Sequence, residues 1–207
     1  MKTDKKALSK ALQELPEWTA QKKMAPGQNP LYRKVPKEHK LASVMALIYP
    51  EQDGADHILL IQRALNDNDR HGGQLGLPGG KYEPEDGTML ACALREVHEE
   101  IGIAPDLVTI VGPLSPLYVF ASNFYVYPYV GLLDQKPRLT LQESEVQRVI
   151  SLSVAALLDE NTKGTTDIQL SGTTIPEVPY YAVDGRVLWG ATAMIMSELE
   201  AVIYKTL

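Results

Sequence analysis

Leu94-Arg-Glu-Val-His-Glu-Glu-Ile-Gly102 is the stretch on which the reading of this chain turns. At ~100° per residue, a helix through it gathers Glu96, Glu99 and Glu100 within an arc of about 100° on one face. The same rotation sends Leu90, Ala93, Leu94, Val97 and Ile101 to an adjoining arc. Such a helix docks by its apolar side and carries its acids along the edge of a cleft. Like charges three and four residues apart cost a few tenths of a kcal/mol per pair, so a cation is expected to offset the cluster. A hard divalent ion such as Mg²⁺ suits an all-oxygen site that leaves room for water and phosphate, and Arg95 can brace one carboxylate. Glu-rich helix faces are also common as plain solvated surface, and the residues upstream have to separate the two readings.

Upstream lies His71-Gly-Gly-Gln-Leu-Gly-Leu-Pro-Gly-Gly80. Gly79 and Gly80 can let the backbone approach a pyrophosphate, or expose amides as an anion-binding nest. Asp86 is expected to cap the helix and Gly102 to end it. Around this unit, apolar runs at Leu41–Tyr49 and His57–Arg63 flank a turn at Pro50–Gly54 and read as strands. Further strands are expected at Val108–Val111, Leu117–Phe120, Phe124–Leu133 and Val146–Leu152, then a short helix at Val154–Leu158. Tyr180–Trp189 reads as a hairpin about Asp184-Gly185, and Ala191–Tyr204 as a closing helix. Residues 4–14 read as a short amphipathic helix, and Pro16–Lys40 as an irregular arm. Mixed strands and few helices give an α/β (or α+β) layered fold.

The 207 residues suffice for one sizeable core, and 44% hydrophobic with 22% charged residues is ordinary for a folded globular chain. A net charge of −6 without a Lys/Arg block argues against a nucleic-acid binder. The single cysteine, Cys92, excludes an intrachain disulfide and a cysteine-rich zinc site. The charged N-terminus and the lack of a long apolar run predict no leader and no membrane span, hence a cytoplasmic protein. The four histidines form no ligand pattern, His98 falls well away from the acid arc, and Cys92 reads as a small buried hydrophobe.

Gly80-x5-Asp86-x8-Arg95-Glu96-Val97-His98-Glu99-Glu100-Ile101-Gly102-Ile103 resembles the Nudix box, G-x5-E-x7-R-E-U-x-E-E-x-G-U, where U is apolar. Asp86 stands where the box usually has Glu, and one extra residue precedes Arg95. The resemblance implies an α/β/α sandwich with a mixed sheet between helices. It would occupy residues 38–207, with a core at about 38–160 and a C-terminal hairpin and helix at 161–207, after an N-terminal helix and arm at 1–37. It implies hydrolysis of a nucleoside diphosphate linked to another moiety, with Mg²⁺ or Mn²⁺ held by Glu96, Glu99 and Glu100. Asp86, Arg95 and Gly102 would be structural. Candidates for the catalytic base are Glu99, Glu100 and Glu145, the last lying where several Nudix enzymes place a fourth carboxylate and reading equally as a surface acid.

A narrower resemblance is to the coenzyme A diphosphatase branch, which also alters the box in this way. It is carried by Leu59-Leu-Ile-Gln-Arg-Ala64, by His71–Gly80 and by Trp189-Gly-Ala-Thr-Ala-Met-Ile195. Ile61 and Leu77 depart from that branch's signature, and Arg70 is out of register with its arginine. The resemblance implies cleavage of coenzyme A to adenosine 3′,5′-bisphosphate and 4′-phosphopantetheine. Arg63 and Arg70 suit phosphate oxygens, beside Gly79 and Gly80. An adenine-stacking ring among Tyr118, Phe120 and Tyr125 is weighed against simple packing. The expected partner is a small-molecule nucleotide, with no nucleic acid and no membrane. The arm is read as a cap on the site or a packing surface for a second copy, dimers being common in the family. ADP-ribose, dinucleotides or nucleoside triphosphates as substrate, or a catalytically silent nucleotide-binding module, are the alternatives.

Overall fold

Two short helices, α1 (Lys5–Ala11) and α2 (Trp18–Gln21), precede the sheet in the computed structural model, which describes residues 2–16, 18–27, 35–65, 72–170 and 172–207. The apolar runs flanking the acidic segment then form β1 (Lys40–Pro50) and β2 (Asp56–Arg63), followed by the short β3 (Leu75–Gly76) and β4 (Gly79–Lys81). Helix α3 (Met89–Ile101) carries the acids, and β5 (Thr109–Pro113), β6 (Leu117–Val119), β7 (Phe124–Leu132) and β8 (Val146–Ser153) complete the main sheet. Its central order is β3-β2-β1-β7-β5, with β4 on β1, β6 on β7 and β8 on β2. β1 and β7 run parallel, whereas the other pairings are antiparallel, so the sheet is mixed.

β1 reads as an almost unbroken apolar run because both of its faces are covered. Met45, Leu47 and Tyr49 join Leu59 and Ile61 beneath Ala93, Val97 and Ile101 of α3. Ala46, Ile48, Ile58 and Leu60 face the other way, toward a core that includes Met194, Leu199 and Val202 of α5 (Gly190–Tyr204). Helix, sheet and helix thus form the three expected layers. Beyond Ile48 toward its N-terminal end, β1 exchanges partners: β4 pairs with Ala42–Val44, and Met45 N donates to Pro78 O at 2.9 Å. That exchange brings the Gly79-Gly80 pair beneath α3.

Asp86 does not cap α3. The cap is Thr88, whose Oγ1 accepts from Ala91 N at 3.1 Å, while Asp86 lies in a 3-10 turn over Pro84–Asp86 and is bonded to Arg95. Thr88 has the extended backbone an N-cap needs immediately before the first helical residue. Gly102 ends the helix in the left-handed conformation, φ 75°, as expected.

The short helix α4 (Val154–Leu158) leads to a second sheet, β11-β10-β9, built from β9 (Lys163–Leu170), β10 (Thr173–Val183) and β11 (Arg186–Trp189). The hairpin turn falls at Asp184-Gly185, both with positive φ, as the Asp-Gly pair predicts. β9 and the first half of β10 are absent from the sequence reading, because Lys163-Gly-Thr-Thr-Asp-Ile-Gln-Leu170 is largely polar, has no buried residue and shows no clean apolar alternation. α1 is shorter than the 4–14 read from periodicity, yet Leu8, Leu12 and Met24 enter the same core as α5. Fully buried Glu198 on α5 accepts from Gln21 Nε2 (3.1 Å) and from Ser115 N (2.9 Å) and Oγ (2.5 Å). Among the described residues, no helix is long and apolar enough to cross a membrane.

Candidate metal centre

Glu100 is 1% exposed on the inner side of α3, and its Oε2 accepts from the Gly79 amide at 2.8 Å. Glu96, one turn earlier, lies over Gly80. The two glycines are required for different reasons. At Gly79, φ is 145°, and a Cβ would stand 2.3 Å from Ser43 O and 2.6 Å from Val44 Cα on β1. At Gly80 a Cβ would stand 2.5 Å from Oε2 of Glu96. The first glycine lets β4 pass close to β1, and the second leaves space for a carboxylate.

Glu145 comes to the helix on a loop stitched to it by backbone bonds. Thr140 N donates to Ile101 O at 3.1 Å, Gln142 N to Glu100 O at 3.0 Å, and Glu145 N to Gln142 O at 2.9 Å. On its other side Glu145 O accepts from Ala64 N at 2.7 Å, just past β2. Glu96, Glu100 and Glu145 thereby offer carboxylate oxygens that all lie within 4.8 Å of one another.

Three carboxylates so close destabilise one another. Burial pushes Glu100 up to about 8, and the like charges of Glu96 and Glu145 add to this, against the Gly79 amide and the Arg63 guanidinium. Burial also raises Glu96, with Glu99 and Glu145 adding and Arg95 opposing. An all-oxygen donor set, one member deeply buried and one on an exposed rim, fits a hard divalent cation whose remaining positions are filled by water or phosphate.

Arg95 ties the loop to the helix. Its Nε and Nη2 hold Asp86 at 2.7 and 3.1 Å, its Nη1 reaches Glu99 at 2.7 Å and Glu96 at 3.0 Å, and Nη2 donates to Lys81 O at 3.1 Å. The Asp86 carboxyl is held down to about 2, mainly by its bonds to Arg95. This bidentate contact shows how Asp, with one residue more before the arginine, serves in place of Glu.

Of the expected Glu96, Glu99 and Glu100, two lie in this group of carboxylates. Glu99, 56% exposed in its side chain, is turned to Arg95, and Glu145 joins Glu96 and Glu100. An Arg four residues before an acid on a helix captures it readily. Of the Gly79-Gly80 pair, weighed for close approach to a pyrophosphate or for an amide nest, the Gly79 amide is engaged by Glu100. Arg63 closes β2 with its charge acting on Glu100, while Arg70 lies outside the described residues. Burial pushes the Cys92 thiol up to about 12, and His98 is exposed. Tyr118 is buried with its OH donated to Asn123, Tyr125 packs edge-on against His39 and Tyr127, and Phe120 is exposed. No motif in the sequence marks the Thr140–Gln142 stitching.

Residues 39–169 match the family model described as NUDIX domain. The chain is 33% identical over 171 residues to a protein named "Uncharacterized Nudix hydrolase NudL" from Enterobacter sp. (strain 638), covering 81% of this chain and 84% of that one. It is 32% identical over 142 residues to the protein of the same name from Salmonella newport (strain SL254), covering 69% of this chain and 72% of that one. Among solved structures, a MutT/nudix family protein from Enterococcus faecalis aligns with a TM-score of 0.49 at 16% identity, over 84% of this chain and 63% of that one. The chain belongs to the Nudix hydrolase family, enzymes that hydrolyse pyrophosphate bonds.

Proposed function

We propose that this protein is a Mg²⁺- or Mn²⁺-dependent diphosphatase acting on coenzyme A or its thioesters, in the cytoplasm, with residues 38–207 as the catalytic domain and 1–37 as an N-terminal helix and arm. The observation that carries the reading is the convergence of Glu96, Glu100 and Glu145 within 4.8 Å, with Glu96 against Gly80 and the Arg63 charge acting on Glu100. These three carboxylates would hold the ion, which when bound neutralises charge on the diphosphate and acidifies a water. Arg63 binds phosphate oxygens with its planar guanidinium. Glu145, on the exposed rim, accepts the proton of the water that attacks phosphorus as the anhydride P–O bond breaks. Arg95, fixed by Asp86, keeps the Glu96 carboxylate in place.

The choice of coenzyme A rests on the sequence of three stretches that the fold brings side by side. Ile61 and Gln62 of β2 pair with Gly76 and Leu75, and Gly76 faces Thr192 of the C-terminal helix, 3.9 Å from where its Cβ would be. Incubation with Mg²⁺ or Mn²⁺ and a panel of coenzyme A, its thioesters, ADP-ribose, NADH and dinucleoside polyphosphates tests this. Adenosine 3′,5′-bisphosphate released from coenzyme A is the expected product. Preferential cleavage of another member overturns the substrate, and no turnover on any of them overturns the enzyme reading in favour of a binding module.

A further inference from the structure

A run of hydrogen bonds joins the tip of the C-terminal hairpin to the glycine segment beside the acidic cluster. Asp184 Oδ2 accepts from Arg148 Nη2 at 3.1 Å, and Arg148 Nε donates to Gln62 Oε1 at 2.9 Å. Gln62 Nε2 in turn donates to Gly73 O at 3.2 Å. Gly73, with φ 78°, gives its amide to Arg63 O at 3.0 Å, and the Arg63 amide goes to Gln74 O at 3.0 Å. Gln62 is 7% exposed, and its amide is oriented at both ends, since only its oxygen can accept from Arg148 and only its nitrogen can donate to a carbonyl.

This run sits where the sheet is irregular. β2 and β8 pair in step from His57–Ser153 to Gln62–Arg148, then slip, so that Arg63 opposes Val146. A slip of this kind re-aims the side chain that follows it, and here that side chain is Arg63, whose charge acts on Glu100. What holds the slip in place therefore sets where the Arg63 guanidinium stands.

We propose that Gln62 and Arg148 are positioning residues for diphosphate binding: they fix the backbone around Arg63 and Gly73, and Asp184 braces them from the C-terminal hairpin. The inference rests on the reading of the acidic cluster as the diphosphate site. It gives the hairpin a part in substrate affinity without a contact to the reacting atoms. Gln62 is the strongest member because it is buried. Asp184 is the weakest, because the Arg148–Asp184 pair is 41% and 57% exposed and such pairs contribute little.

The test compares Gln62→Leu, Arg148→Met, Arg148→Lys and Asp184→Asn with the unaltered chain, by steady-state kinetics on coenzyme A and by amide hydrogen exchange. In Gln62→Leu, which loses its bonds with both Arg148 and Gly73, and in Arg148→Met, which loses the first, KM is expected to rise about fivefold or more, on the order of the factor carried by one lost hydrogen bond, with kcat within about twofold. Arg148→Lys, which keeps one donor to Gln62, recovers part of the loss, and Asp184→Asn shifts KM less than about twofold. The amides of Arg63 and Gly73 exchange faster in the first two variants, with the rest of β1 and β2 unchanged. Unchanged KM together with unchanged exchange at these two amides overturns the proposal, as does faster exchange spread through the whole sheet, which marks a merely structural role. Failure of the unaltered chain to hydrolyse any diphosphate overturns the diphosphatase reading and with it the binding role, whereas turnover with unmoved KM in the variants removes the positioning role alone.

Discussion

Glu99 and Glu100 adjoin in sequence, yet a helix turns ~100° between them and gives them different work. Glu99 lies in solvent against Arg95, whereas Glu100 is buried, accepts from the Gly79 amide and faces Glu96 and Glu145. Glu100→Gln is therefore expected to weaken Mn²⁺ binding, followed by electron paramagnetic resonance, by a factor on the order of 100 or more, and Glu99→Gln by no more than about tenfold, the low end for a group outside the donor set. Asp86 supports a different property. Its side chain is 3% exposed and paired to Arg95, which is itself about a quarter exposed, so Asp86→Asn should cost about 1–2 kcal/mol. A chain of this size would then melt some 2–8 °C lower. Because folding lowers the Asp86 pKa from 3.8 to about 2, its contribution is complete above pH 3.8 and is lost as pH falls through about 2. Acid titration of stability should show that loss in the wild type and lack it in Asp86→Asn; the same acid dependence in both would remove the pair from the account.

At the scale of elements, the loop of β4 and the helix α3 form one unit in which each glycine answers to a different neighbour. Gly80→Ala drives a methyl against the Glu96 carboxylate, the mobile end of a side chain, so the fold should persist while Mn²⁺ affinity drops about tenfold or more. Gly79→Ala drives a methyl against the backbone of β1 at positive φ, and should cost upwards of about 3 kcal/mol and compromise folding. Thermal melts and metal titrations on both variants separate the two effects, and equal behaviour would refute the distinction. The acidic helix, Gly102 and the strands that bury both faces of β1 were legible in sequence because each follows from periodicity or from one residue's conformational freedom. The cap was misassigned because Asp86 and Thr88 both suit an N-cap, and only the arginine nine residues on decides between them. The place of Glu145 beside Glu100 depends on backbone bonds from Thr140 and Gln142, which leave no side-chain signature. β9 is largely polar and has no buried residue, so no hydrophobic pattern announces it.

Across the whole molecule, α5 joins parts far apart in sequence. Its buried Glu198 accepts from Gln21 near the N-terminus and from Ser115 between β5 and β6, and Ser197 Oγ donates to Ala20 O at 2.9 Å. Glu198→Ala leaves the part-buried Ser115 donors without this acceptor while Gln21 Nε2 keeps Ser115 O, which should cost about 1–3 kcal/mol and lower the melting temperature by roughly 2–12 °C. Mn²⁺ affinity should stay as it is, because α5 covers the face of the sheet opposite α3. A melting temperature that does not move would show that the N-terminal element is not anchored through this carboxylate. The central claim is that Glu96, Glu100 and Glu145 form a metal-dependent diphosphatase centre, and it is tested most directly by the release of adenosine 3′,5′-bisphosphate from coenzyme A in Mg²⁺ by wild type, Glu100→Gln and Glu99→Gln side by side. The account expects turnover in wild type that chelator abolishes, near-complete loss in Glu100→Gln and substantial retention in Glu99→Gln. Wild-type turnover that survives both chelator and Glu100→Gln would contradict it.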